Sequence, residues 1–143
     1  MTIPVWSLLG FATWTVLLLI WTVGVYRLSR VFSGRAGMAG FPADHVEGAD
    51  WYRRSMRAHA NCVENLPVFA AVVLAVSASG ASGPAVNGFS MIILAARVIQ
   101  SLIHVSVPQT DAVVAARFGF FFVQLIGFLA LIVIVVLSAT RAS

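Results

Sequence analysis

Long apolar runs alternate with short polar blocks along this chain. Charged residues are absent from Met1 to Tyr26, from Asn65 to Ala96 and from Phe118 to Thr140, and between Val98 and Gln109 the only ionisable side chain is His104. An α-helix rises about 1.5 Å per residue, so about 20 residues cross the roughly 30 Å hydrocarbon layer. The pattern predicts an all-α membrane protein: one domain, residues 1–143, in which four transmembrane helices near residues 5–26, 57–77, 86–107 and 112–138 form a bundle. The fourth run is longer than one crossing needs, which places its first turns in water. Gly, Ala and acidic residues fill 33–50, the mark of a flexible or partly helical loop. Ser, Gly and Pro fill 77–84, a tight turn between antiparallel helices, and Thr110 or Asp111 is placed to cap the fourth helix.

With 60% apolar and 10% charged residues in 143, the composition excludes a water-soluble core. No basic residue precedes the first span and no small-residue cleavage site follows Tyr26, so that span is expected to stay in the mature protein. Arg27, Arg30, Arg35, Arg53, Arg54 and Arg57 cluster between spans one and two, whereas 77–88 carries no basic residue. The loop 27–56 is therefore expected in the cytoplasm and both termini on the other side. The net charge of +4 then reflects topology and contact with anionic headgroups of membrane lipids, not nucleic-acid binding. The single cysteine, Cys62, excludes an intrachain disulfide and a thiolate metal cage, and reads as a small buried hydrophobe. His45 with Asp44, Glu47 and Asp50 reads as a solvated face, and no metal is expected.

Residues three, four and seven apart share a helix face. Arg57, Asn61 and Glu64 thus form one polar line descending span two, with His59 turned away from it. Span three carries Arg97, Gln100 and His104 at similar spacing, span four carries Arg117, Phe121 and Gln124, and span one ends in Tyr26, Arg27 and Arg30. On the expected topology all four lines lie in the cytoplasmic half of the membrane. Ionisable groups inside spans point to function. Arginine forks suit carboxylates, a glutamate suits an ammonium, and an asparagine both donates and accepts. The set fits a small anionic molecule that also carries an amine. Structural readings stand beside that one: Glu64 as the ion-pair partner of Arg57 or of an arginine on another helix, Arg97 as the cation neutralising a buried glutamate, His59 as a headgroup-level histidine, and Pro67 as a tolerated kink.

The run Arg57-Ala58-His59-Ala60-Asn61-Cys62-Val63-Glu64, followed by Pro67 and Phe69, closely resembles the second-helix signature of the MAPEG family, the membrane-associated proteins of eicosanoid and glutathione metabolism. The four-span layout, the cytoplasmic first loop and the length match along the whole chain, as in a bacterial-type, inner-membrane member. The resemblance implies a homotrimer of four-helix protomers that binds glutathione between neighbouring subunits near the cytoplasmic side and takes a lipophilic co-substrate from the bilayer. By motif, Arg57, Asn61 and Glu64 match glutathione-binding positions, His59 a position that is histidine or glutamine in family members, and Arg27 the binding arginine ending helix one, with Arg30 nearly as good a match. Arg97 resembles the arginine opening the third-helix motif. Arg117 resembles the fourth-helix arginine that acts on the thiol, which makes it the expected catalytic residue. Where family members often carry a tyrosine in helices three and four, this chain has His104 and Phe121; His104 is retained among the expected glutathione contacts.

A free thiol, with a pKa near about 8.5, is mostly protonated at neutral pH, and each unit of depression corresponds to about 1.4 kcal/mol of thiolate stabilisation. An arginine aimed at sulfur in a dry cleft supplies that stabilisation. The expected function is a glutathione-dependent transferase or peroxidase acting on a lipophilic electrophile or hydroperoxide. A non-enzymatic lipid-binding MAPEG-like protein is the alternative, favoured by His104 and Phe121. A small multidrug/proton antiporter built on Glu64 is a third reading, disfavoured by the surrounding arginines.

Overall fold

The structure is a computed structural model that describes residues 1–42 and 46–142. Four helices account for nearly all of it: α1 (Ile3–Phe32), α2 (Asp50–Ser79), α3 (Pro84–Ser106) and α4 (Asp111–Ala142). All four are long and apolar enough to cross a membrane, and no strand occurs among the described residues.

Local chemistry sets the helix ends. Pro84 opens α3 at a position where a missing N–H costs nothing, and Gly80, at φ +67°, ends α2 in the left-handed conformation that glycine adopts without strain. Thr110 caps α4, its Oγ1 accepting from Val113 N at 3.3 Å. Helix α2 starts roughly two turns before the apolar span at residue 57. Asp50 in its first turn pairs with Arg53 at 3.4 Å and with Arg54, a negative charge at the positive end of the helix dipole. Pro67 lies inside this continuous helix.

Helix α1 packs on α2 and α3, and α4 packs on the same two, so α1 and α4 stand at opposite corners of the bundle. Phe11, Phe69, Ile93 and Leu131 are fully buried, and the Phe69 ring lies 5.6 Å from Phe11 and 5.9 Å from Phe128, joining α1, α2 and α4. At Gly127 a Cβ would come within 2.8 Å of Ile93 Cγ1, so α3 and α4 approach as closely as they do because that side chain is missing. The outer face exposes Trp21, Leu74, Phe122 and Ile126, as a lipid-facing surface requires.

Helix α1 widens into a π-helical segment at Leu19–Gly24 before returning to α geometry. Such an insertion rotates everything beyond it around the helix axis. Beyond it, Tyr26 stacks on Tyr52 of α2 with ring centres 4.0 Å apart and receives a hydrogen bond from Ala49 N at 3.2 Å. A second small core of Val23, Tyr26 and Tyr52, flanked by Phe41, Val46 and Met56, thereby ties the first connection to the arginine-rich end of the bundle.

Candidate functional site

A cleft of about 240 Å³ opens between α2, α3 and α4 toward the arginine-rich end. Helix α2 lines it with Asn61, Glu64 and Asn65, α3 with Arg97 and Gln100, and α4 with Val114, Arg117, Phe118 and Phe121. Two residues of each line expected on these three helices thus share the cleft, whereas Arg57, His104 and Gln124 do not line it.

Arg97 is 1% exposed, and its Nε and Nη2 have no hydrogen-bond partner among the described residues. Its guanidinium carbon stands 5.6 Å above the Phe11 ring, a cation–π contact that offsets part of the cost of burial. Arg117 is half-buried and its Nε is likewise without a partner. Glu64 is exposed, and among the described residues the ion pairs within 4.0 Å are both made by Asp50, so Glu64 is not consumed by a bridge to Arg57 or Arg97. Arg97 nevertheless lies within electrostatic reach of Glu64. The cleft therefore offers unfilled guanidinium donors from α3 and α4 and an unfilled carboxylate from α2, with Asn61 on the same helix as the carboxylate. Free guanidinium donors fit carboxylates and a free carboxylate fits an ammonium, the set that a small molecule carrying both kinds of group requires.

The remaining expected residues lie around this cleft rather than in its lining. Arg57 is exposed, and with Arg54 and Arg117 it is within electrostatic reach of His104. His104 is buried in the bundle, and neither ring nitrogen has a partner among the described residues. His59 is half-buried and does not line the cleft. Arg27 is held elsewhere: its Nε donates to Tyr52 Oη at 2.8 Å and its guanidinium stands 5.4 Å from the Phe41 ring centre. Arg30 covers the Tyr26 ring at 5.4 Å. Cys62 is fully buried, 3.4 Å from Ser101 Oγ. Arg54 clamps α2 to the end of α3 by donating to the Val105 carbonyl at 3.3 and 3.4 Å. Asp44 and His45, two members of the acidic loop cluster, fall outside the described residues; among those described, no group of three or more His, Cys, Asp or Glu side chains is placed to hold a metal.

Sequence reasoning gave no role to Asn65, which lines the cleft and donates its Nδ2 to the Asn61 carbonyl at 2.8 Å. Its spacing of four from Asn61 was the signal. Nor did it pair Gln100 with Gln124, because spacing along one helix says nothing about which residue of another helix it meets.

The profile of the MAPEG family matches residues 4–137, nearly the whole chain. The chain belongs to the MAPEG family. This MAPEG protein is an integral, multi-pass membrane protein, and its family works in eicosanoid and glutathione metabolism, with glutathione as a substrate or cofactor of its members in general. No curated protein and no solved structure matches the chain.

Proposed function

We propose that this MAPEG protein activates the thiol of glutathione and delivers it to a lipophilic electrophile or hydroperoxide dissolved in the bilayer. The observation that carries the reading is the cleft between α2, α3 and α4, where Arg97, Arg117 and Glu64 face a shared space with their charges unpaired. Keeping such groups in a membrane interior is costly unless a ligand meets them. Glu64 receives the α-ammonium, Arg97 and Arg57 receive carboxylates, and Asn61 bonds the peptide backbone. Arg117 faces sulfur and holds it as thiolate, the proton leaving to water at the cytoplasmic end. In conjugation the thiolate forms a C–S bond as the leaving group departs with its electron pair. In peroxide reduction it attacks the terminal oxygen, forming the S–O bond of a sulfenic acid as the O–O bond breaks and the alkoxide leaves to take a proton from water, and a second glutathione resolves the sulfenic acid to disulfide and water.

In this reading the functional unit is a homotrimer with its first loop in the cytoplasm. Glu64, Phe118 and Phe121 are exposed on the open flank of the cleft, the side a neighbouring subunit closes. Arg27, whose Nε and Nη2 are held by Tyr52 and Met56 within its own protomer, has only Nη1 left with which to serve the cleft of a neighbour.

Isothermal titration of glutathione into the detergent-solubilised protein, with thiolate absorbance followed in parallel, tests the assignment. Saturable binding with a thiolate signal that vanishes in Arg117→Ala is the expected result; binding without any thiolate in the wild type overturns it. One observation favours a second reading, a lipid-binding protein without chemistry: Phe121, which has no hydroxyl, lines the cleft where family members often present a phenol. No saturable glutathione binding, together with retention of a fluorescent fatty acid, is the result that selects it.

A further inference from the structure

Two buried amides take no part in the reading above. Gln124 on α4 is fully buried, and Gln100 on α3, 7% exposed, stands in the wall of the cleft. Their side chains form a directed ladder. Gln124 Nε2 donates to Gln100 Oε1 at 3.1 Å and to the Phe120 carbonyl at 2.9 Å, and Gln100 Nε2 donates to the backbone carbonyl of Arg117 at 2.9 Å. Both ends of the ladder fall on the turn of α4 that carries the Arg117 guanidinium.

Stability does not account for this arrangement. A buried amide pair contributes little more than apolar groups of the same shape, and replacing both partners together is close to neutral. Apolar contacts already bring the two helices together where Gly127 meets Ile93. Shape complementarity along that seam sets the register of the two helices only as far as side chains yield, whereas a hydrogen bond to a particular carbonyl adds a directional constraint at one point. That constraint matters at Arg117, because no hydrogen bond or ion pair to the protein holds its side chain among the described residues. The guanidinium inherits its place from its backbone, and Gln100 is the α3 side chain that bonds that backbone at Arg117.

We infer that Gln100 and Gln124 are positioning residues for Arg117: the ladder fixes α4 against α3 so that the guanidinium stands at the sulfur of a bound thiol. The inference rests on the thiol-activating reading of Arg117. A misplacement of about 1 Å costs on the order of a hundredfold in rate when geometry is productive, so the ladder acts on turnover and leaves binding alone. Gln100 also faces the ligand, and its substitution alone would mix the two effects. Gln124 does not line the cleft and separates them.

The test measures glutathione affinity, thiolate absorbance and turnover with chlorodinitrobenzene for the solubilised wild type, Gln124→Leu, the double variant Gln100→Leu/Gln124→Leu and Arg117→Ala. In Gln124→Leu the expected result is unchanged glutathione affinity and KM, with the thiolate signal and kcat lowered on the order of tenfold, and a larger fall in the double variant. The double variant leaves no amide unpaired, so it keeps the question open to measurement if Gln124→Leu does not fold. Wild-type thiolate and kcat in either folded variant, beside their loss in Arg117→Ala, overturn the ladder alone. Thiolate retained in Arg117→Ala overturns both the ladder and the role of Arg117.

Discussion

Helices α2 and α4 share one seam with two unlike halves. Toward the arginine-rich end, Asn61, Glu64 and Asn65 face Arg117 and Phe121 across a cleft of about 240 Å³. Farther along the same helices, Ala71, Val72 and Ala75 face Ile132, Val135 and Val136 across an apolar groove of about 280 Å³. Beside that groove Phe69 and Val72 of α2 share a buried cluster with Phe128 and Leu131 of α4, so apolar side chains alone can pack these helices, and in lipid such contacts supply much of what holds a bundle. The polar half therefore gains nothing in packing from its charges. An unpaired Glu64, a buried Arg97 with two free nitrogens and an Arg117 with a free Nε make sense when a ligand completes them.

The contrast can be broken or sharpened by substitution on either side. The largest effect is expected from Arg117→Ala, which should lower the thiolate-to-thiol ratio of bound glutathione about 10- to 100-fold, as loss of one to two units of thiol pKa depression requires. Ultraviolet difference absorbance of the glutathione complex reads it directly. Glu64→Gln removes a charged acceptor of the ammonium and should weaken glutathione binding about tenfold or more, the scale of a charge-assisted hydrogen bond; calorimetric titration checks it, and an undiminished affinity would return the polar half to a structural role.

At the seam of α3 and α4, Gly127→Ala pushes a Cβ to within 2.8 Å of Ile93 Cγ1 and should cost about 1–3 kcal/mol, the usual penalty of overpacking. Unfolding in mixed micelles measures that loss, while glutathione affinity of the folded fraction stays at the wild-type value. The smallest effect belongs to Arg53→Ala. Its bridge to Asp50 is exposed on both sides and should contribute less than about 1 kcal/mol to the same unfolding measurement, which separates a solvated arginine from those of the cleft.

Much of the site was legible before any fold was known, for a physical reason. Asn61, Glu64, Arg97, Gln100 and Arg117 stood out because polar side chains in a membrane-length run are costly, and helical spacing put them, with Phe121, on common faces. What helical spacing does not carry is the rotation of one helix relative to another. Hence His104, on the same line as Arg97 and Gln100, turns into the bundle rather than the cleft, and Arg27 is held by Tyr52 beyond a π-helical segment that no apolar pattern announces. Asn65 was readable from its spacing of four to Asn61 but hidden by the stronger charges beside it.

By itself the sequence determined the number of membrane-length helices and the family, because apolar run length is set by the thickness of a bilayer and the run from Arg57 to Phe69 is specific. Only the tertiary structure decided which lines of polar residues meet, that Glu64 makes no close ion pair, and that Gln100 reaches from α3 to the backbone of Arg117. Those facts depend on helix rotation and axial register, which arise from side chains interlocking across helices and from single features such as Gly127 and the π segment.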